Sequence, residues 1–162
     1  MKMGKYRFSL TLALFLSVLT CIDAAVPDAD MHKVYQSLYN TSRGDHDLVV
    51  LFYSPMCQHC EKFLGKYEEA FETIKSNKNI KINFLKANCG KYYNMIAAFD
   101  VDLFPDVVYF HKGVPRERMP LMLTKLEGLT EQWFEMMYKK HNKNIEKSNF
   151  KKAPILKNLE NK

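Results

Sequence analysis

From residue 28 to 40, Met31, Val34, Tyr35, Leu38 and Tyr39 recur at spacings of three and four behind a pair of acids. That period predicts a short amphipathic helix, and Thr41 to Asp47 reads as a polar turn around Gly44. Leu48 to Tyr53 is a continuous apolar run, too short for a helix and rich in Val and aromatics, which suits a central strand buried on both faces. From Gln58 the pattern turns helical again through Phe63, Tyr67, Ala70, Phe71 and Ile74, until Ser76-Asn77-Lys78-Asn79 ends it. Alternating Ile80, Ile82 and Phe84 predict a second strand, parallel to the first by the logic of a strand–helix–strand unit. Tyr92 to Phe99 reads as a short helix with Tyr92, Ile96 and Phe99 on one side. Val107 to Phe110 is a third strand, His111-Lys112-Gly113 a turn, and Leu121 to Leu126 the expected hairpin partner. Thr130 is expected to cap a closing helix bearing Trp133, Phe134, Met137 and Tyr138.

The two ends differ in character from this middle. Lys2, Lys5 and Arg7 precede an apolar run from Phe8 to Ile22 and then Asp23-Ala24-Ala25, the plan of a secretory signal peptide cleaved after Ala24. The run is short against the roughly 20 residues that span a bilayer, so an uncleaved anchor is the lesser alternative. No later stretch is long and apolar enough to cross, so the mature chain carries no expected transmembrane segment. The expected organisation is a signal peptide over 1–24, one α/β domain over 25–140 with a mixed sheet flanked by helices, and a basic, disordered tail over 141–162.

Charge follows the same division. The net charge is +6, but residues 139–162 hold eight Lys against two Glu, and the leader adds three cations. The stretch between them is slightly acidic, so the charge reports a tail and a leader and gives no support to nucleic-acid binding.

Loss of the leader would remove Cys21 and leave Cys57, Cys60 and Cys89. Three cysteines do not make a disulfide framework; a Cys-x-x-Cys plus one thiol looks like a working redox pair. Cys57 falls where a buried strand ends and a helix begins, so unpaired N–H groups and the helix dipole point at its sulfur and favour the nucleophilic thiolate. Cys60 lies one turn on, within reach of a Cys57–Cys60 disulfide. Gln58 and His59 between them are candidates for tuning that couple. Half a zinc site and a permanent structural disulfide are the alternatives for the same motif; zinc would need further ligands from Cys89 or the scattered histidines.

The segment Leu48-Val-Val-Leu-Phe-Tyr-Ser-Pro-Met-Cys-Gln-His-Cys-Glu-Lys-Phe63 resembles the thioredoxin superfamily and, within it, the protein disulfide isomerases, whose usual text is Phe-Tyr-Ala-Pro-Trp-Cys-Gly-His-Cys-Lys. Phe99-Asp-Val-Asp-Leu-Phe-Pro-Asp-Val-Val-Tyr-Phe-His-Lys-Gly113 resembles the family's second conserved-looking stretch at the right distance. The resemblance, over roughly residues 28–140, implies a thioredoxin fold and a thiol–disulfide oxidoreductase of the secretory pathway, in the endoplasmic reticulum lumen or secreted. It implies Cys57 as nucleophile, Cys60 as resolving thiol, Pro105 as the family's cis-proline, and Met56, Phe104, Pro105 and Asp106 as peptide contacts. Cysteine-containing client proteins are the implied partners, and no small-molecule cofactor or metal is implied.

Several positions depart from that pattern. Met56 replaces a tryptophan, Leu51 replaces a buried acid six residues before the first cysteine, Leu129 stands where an arginine is common, and Asp106 follows the proline in place of a threonine. Leu51 removes the proton acceptor of the resolving thiol, which slows release. Asp106 would oppose thiolate formation or select basic peptides. The same departures open a second reading, a binding or accessory subunit with little redox turnover. Asn40-Thr41-Ser42 is a glycosylation acceptor on the predicted turn. The chain closes on Glu160-Asn161-Lys162, not on a retrieval signal, so retention in the endoplasmic reticulum would depend on a partner. Cys89 reads as a free thiol, with a bond to another protein as its alternative.

Overall fold

The computed structural model describes residues 25–126 and 128–142. The expected signal peptide and all of the basic tail beyond Asn142 lie outside them. Helices and strands follow in the order α1 (Met31–Arg43), β1 (Asp47–Tyr53), α2 (Gln58–Ser76), β2 (Ile82–Asn88), α3 (Asn94–Phe99), β3 (Asp106–His111), β4 (Val114–Arg118) and α4 (Leu129–Asn142), with one 3₁₀ turn at Leu123–Lys125.

The strands form one mixed sheet in the order β2-β1-β3-β4. β1 pairs parallel with β2 and antiparallel with β3, and β3 pairs antiparallel with β4. A central β1 explains its continuous apolar text, since both of its faces are covered. Val49 and Leu51 face one way, into a core shared with Phe63, Tyr67, Ala70 and Ile74 of α2 and Trp133, Phe134 and Met137 of α4. Leu48, Val50 and Phe52 face the other way, onto Val34 and Leu38 of α1 and Met95 and Phe99 of α3. Tyr67 adds a polar tie within the first core: its hydroxyl is buried and donates to the carbonyls of Val49 (3.3 Å) and Leu85 (3.0 Å), bridging the two parallel strands.

Sequence and structure part in several places. α1 begins at Met31 with Asp30 as its N-cap, the Asp30 carboxylate accepting from the Lys33 N–H at 2.8 Å. Residues before it run along the outer edge of β2, where Ala29 N donates to Lys86 O and Lys86 N to Pro27 O. The helix also continues through Thr41-Ser42-Arg43, so Asn40 lies in its last turn and not on a surface turn. In α3 the buried positions are Met95 and Phe99, while Ile96 is exposed.

The largest correction concerns the hairpin. Leu121 to Leu126 is not the partner of β3; that partner is Val114-Pro115-Arg116-Glu117-Arg118, and Leu123–Lys125 is a 3₁₀ turn. A proline and three charges conceal a strand from an apolar pattern, and they are tolerated because β4 is the sheet edge. Lys112 and Gly113 both have positive φ, 54° and 73°, the requirement of a tight two-residue hairpin, so His111 belongs to the strand and not to the turn. Thr130 lies inside the first turn of α4, one residue past its start. α4 extends to Asn142, two residues beyond the expected end of the domain.

Candidate functional site

The site lies where β1 hands the chain to α2. Cys57 is the N-cap of α2, with extended backbone (φ −94°, ψ 108°), and its Sγ accepts from the Cys60 N–H at 3.3 Å. A side chain that satisfies a helix N-terminus must sit over the open N–H groups, so the sulfur is held at the positive end of the dipole. The turn before it is closed by Cys57 N donating to Ser54 O at 3.1 Å. Gly90, in the β2–α3 connection, passes close beneath this turn: a Cβ there would stand 3.2 Å from Pro55 Cδ.

The cysteines are free thiols in unlike surroundings. Cys57 is half-buried, whereas Cys60 is 1% exposed. Burial, then its hydrogen bond and charge interaction with Cys57, push the Cys60 thiol up to about 12. Cys60 therefore keeps its proton at neutral pH. Cys89 is also buried, its thiol pushed up to about 11, chiefly by burial, and its Sγ faces Ala87 O at 3.8 Å. Such a thiol is not presented for a bond to another protein.

Facing Cys57 is the loop between α3 and β3. The Phe104–Pro105 peptide is cis, and the Phe104 carbonyl accepts from Cys57 Sγ at 3.7 Å. Pro105 is buried, Phe104 is half-buried, and Leu103 beside them is 65% exposed. On the other side of the cysteines Met56 is 96% exposed, and Gln58 and His59 are exposed. The structure thus brings Cys57, Cys60 and Phe104 together with Pro105, and leaves Met56, Gln58 and His59 on the rim.

Asp106 behaves differently from either sequence expectation. Its side chain is 11% exposed and ion-paired with Arg118, on the α3 side of the sheet. Burial and the nearby Asp102 and Asp100 raise its carboxyl above the usual range, with Arg118 opposing them. A carboxylate so paired neither bears on Cys57 as an open charge nor offers itself to a basic peptide. Arg118 is committed to Asp106 and to the Phe99 carbonyl.

A second polar cluster, which sequence reasoning missed, sits at the opposite end of β1. Asp47 is 2% exposed and accepts from the Tyr109 hydroxyl (2.5 Å) and Asn142 Nδ2 (2.8 Å), with His111 Nδ1 at 2.7 Å. His141 stacks on both Tyr109 and His111. Its distance along β1 from Cys57 separates it from the thiols. Among the described residues no group of three or more His, Cys, Asp and Glu side chains could hold a metal, and no helix is long and apolar enough to cross a membrane.

Residues 31–130 match the family model described as Thioredoxin. The chain belongs to the thioredoxin family. Protein disulfide-isomerase 1 of Caenorhabditis elegans is 28% identical over 109 residues, which cover 66% of this chain and 22% of that protein. Probable protein disulfide-isomerase A6 of Medicago sativa is 36% identical over 70 residues, covering 43% and 19%. The chain thus spans about a fifth of the length of the curated relatives it matches. Among solved structures, form I of human ERp44 superposes with a TM-score of 0.57 at 17% identity, over 68% of this chain and 29% of that one. The Malassezia sympodialis thioredoxin Mala s 13 gives 0.54 at 16% identity, over 72% and 93%. At such identities these two structures speak to the thioredoxin fold alone.

Within the thioredoxin domain, Leu51 occupies the core with no exposed surface. Leu129, at the start of α4, is half-buried.

Proposed function

We propose that this thioredoxin domain is a thiol–disulfide oxidoreductase acting on cysteine-containing proteins of the secretory pathway through Cys57-Gln58-His59-Cys60. The observation that carries the reading is the pair of unlike thiols one helical turn apart, with the accessible one facing a cis-proline loop. Cys57 thiolate attacks one sulfur of a client disulfide, forming a mixed disulfide and releasing the first client thiolate. Cys60, after losing its proton, attacks Cys57 Sγ, forms the Cys57–Cys60 disulfide and releases the second client thiolate. The client gains two electrons and the domain loses two; the reverse sequence oxidises a client dithiol. Met56, Phe104 and Pro105 supply the contact surface, and Asp106 beside them is ion-paired with Arg118. Gln58 and His59 tune the couple from the rim.

The leader-like residues 1–24 and the protein disulfide-isomerase names of the relatives support the choice of compartment. Retention there through a partner and glycosylation at Asn40, an exposed residue of α1, belong to the same reading.

The test is the redox equilibrium of the protein in glutathione buffers, with free thiols trapped and the Cys57–Cys60 state read by mass spectrometry. A rapid, reversible transition in the range of secretory-compartment glutathione is expected; a pair that stays closed, or exchanges only over hours, refutes it. Leu51, fully buried at the position where the resemblance implies an acid, favours a second reading as a binding subunit with little turnover. Client binding that survives Cys57→Ser and Cys60→Ser together, in a protein that fails the glutathione test, would establish that alternative.

A further inference from the structure

The peptide-facing loop, residues 100–105, has two ends: Phe99, the last residue of α3, and Asp106, the first of β3. Arg118, the last residue of β4, touches both. Its Nη1 pairs with Asp106 Oδ2 and its Nη2 donates to the Phe99 carbonyl. A planar guanidinium can make these two bonds at once, which a lysine ammonium on a single flexible stem does less well. The loop between the bonded ends carries the exposed Leu103, the Phe104 carbonyl that faces Cys57, and the cis Pro105. Asp100 and Asp102 on the same loop place negative charge around Asp106, which the Arg118 guanidinium offsets.

We infer that Arg118 is a positioning residue for the exchange reaction: it clamps both ends of the 100–105 loop and so holds the Phe104–Pro105 backbone where a client strand lies beside Cys57. The inference rests on the oxidoreductase reading for its reaction and on the loop geometry for its binding. Main-chain recognition of an extended peptide requires a fixed edge, and loosening that edge costs binding. The thiols themselves stand on α2 and do not touch Arg118.

The experiment compares Arg118→Ala and Arg118→Lys with the parent protein, using three probes. A twelve-residue apolar peptide with an internal disulfide measures turnover, the same peptide with both cysteines replaced by serine measures affinity, and dithiothreitol reduction of the Cys57–Cys60 disulfide reports on the thiol pair without the groove. For Arg118→Ala the expected result is a rise of about tenfold in KM and in peptide Kd, with kcat and the dithiothreitol rate within about twofold. Arg118→Lys should fall between the two, since it keeps the charge on Asp106 but loses the span to Phe99. Unchanged KM and Kd with a lower Tm would reduce Arg118 to a structural ion pair and overturn the inference. An equal fall in the dithiothreitol rate would overturn it as well, placing the effect on the thiols. Should the parent turn over neither disulfide probe yet bind the serine peptide, the oxidoreductase reading fails while the Kd of Arg118→Ala still decides the clamp. If Arg118→Ala does not fold, Arg118→Lys carries the same comparison, and a parent that does not bind the serine peptide refutes the clamp outright.

Discussion

In the proposed exchange reaction, release of a client from Cys57 would depend on the thiolate of Cys60, whose thiol is pushed up to about 12 from an ordinary 9.0. At pH 7.5 that leaves a thiolate fraction about a thousandfold smaller than an unburied thiol would have. A more basic thiolate is a better nucleophile, and a Brønsted slope near 0.47 returns roughly 25-fold of that loss. The net expectation is release about 40-fold slower than from an ordinary resolving thiol. Burial is the largest cause of the shift and persists in the mixed disulfide, whereas the interactions with Cys57 weaken once its sulfur is bonded, so 40-fold is a ceiling. The perturbation is pH itself. Reduced protein is mixed with a disulfide peptide, quenched in acid at intervals, and the mixed disulfide followed by mass spectrometry from pH 6.5 to 9.5. Its decay should quicken about tenfold for each pH unit, with no plateau in that range. A plateau with a midpoint between pH 7 and 8.5 would mean that Cys60 ionises like an exposed thiol, and the reasoning from burial would fail.

Leu51→Glu puts an acid into a fully buried position; it should cost about 4 kcal/mol in urea unfolding, because the carboxyl loses its water on burial, and speed the release step about tenfold once pH is high enough for the carboxylate to form and take the Cys60 proton. A folded variant that releases no faster would remove Leu51 from the account. Asp47→Ala removes the acceptor of the Tyr109 hydroxyl, the carboxylate facing His111 Nδ1 and one of the two acceptors of Asn142 Nδ2, for an expected loss of about 3 kcal/mol in thermal unfolding with the glutathione equilibrium unmoved; a shifted equilibrium would show coupling along β1. His141 is held below its ordinary 6.5, first by burial and then by His111, Lys140 and Arg116, with Glu117 opposing. The unfolded chain therefore takes up a proton near pH 6.5 that the folded one refuses until lower pH, so stability is at full value above about 6.5 and falls as pH drops through that window. Urea midpoints at pH 7.5 and 5.5 should show the fall, and His141→Phe, which keeps a stacking ring, should shrink it; an unchanged difference would assign the titration elsewhere.

Local pattern was enough for β1, α2, the Cys57–Cys60 spacing and the second stretch around Pro105. Each depends on periodicity or on residues a few positions apart, and backbone geometry alone turns such spacing into a buried strand, a helical face or a pair of thiols. β4 was not legible because an edge strand needs no apolar alternation, and Pro115, Arg116, Glu117 and Arg118 carry none. The strip before α1 was missed for a related reason: its hydrogen bonds go to Lys86, far along the chain. Within the site, the amino-acid text placed Cys57 at a helix start but could not tell that Cys89 is buried, or that Asp106 is neutralised by Arg118. The Asp47–His111 contact joins residues 64 positions apart. Sheet order and register decide which distant side chains share a face, and the same packing sets the dielectric that each thiol and carboxylate meets. The nature of the chemistry was therefore readable from order along the chain, while its protonation states, its clamp and its neutralised charge came only with the folded sheet.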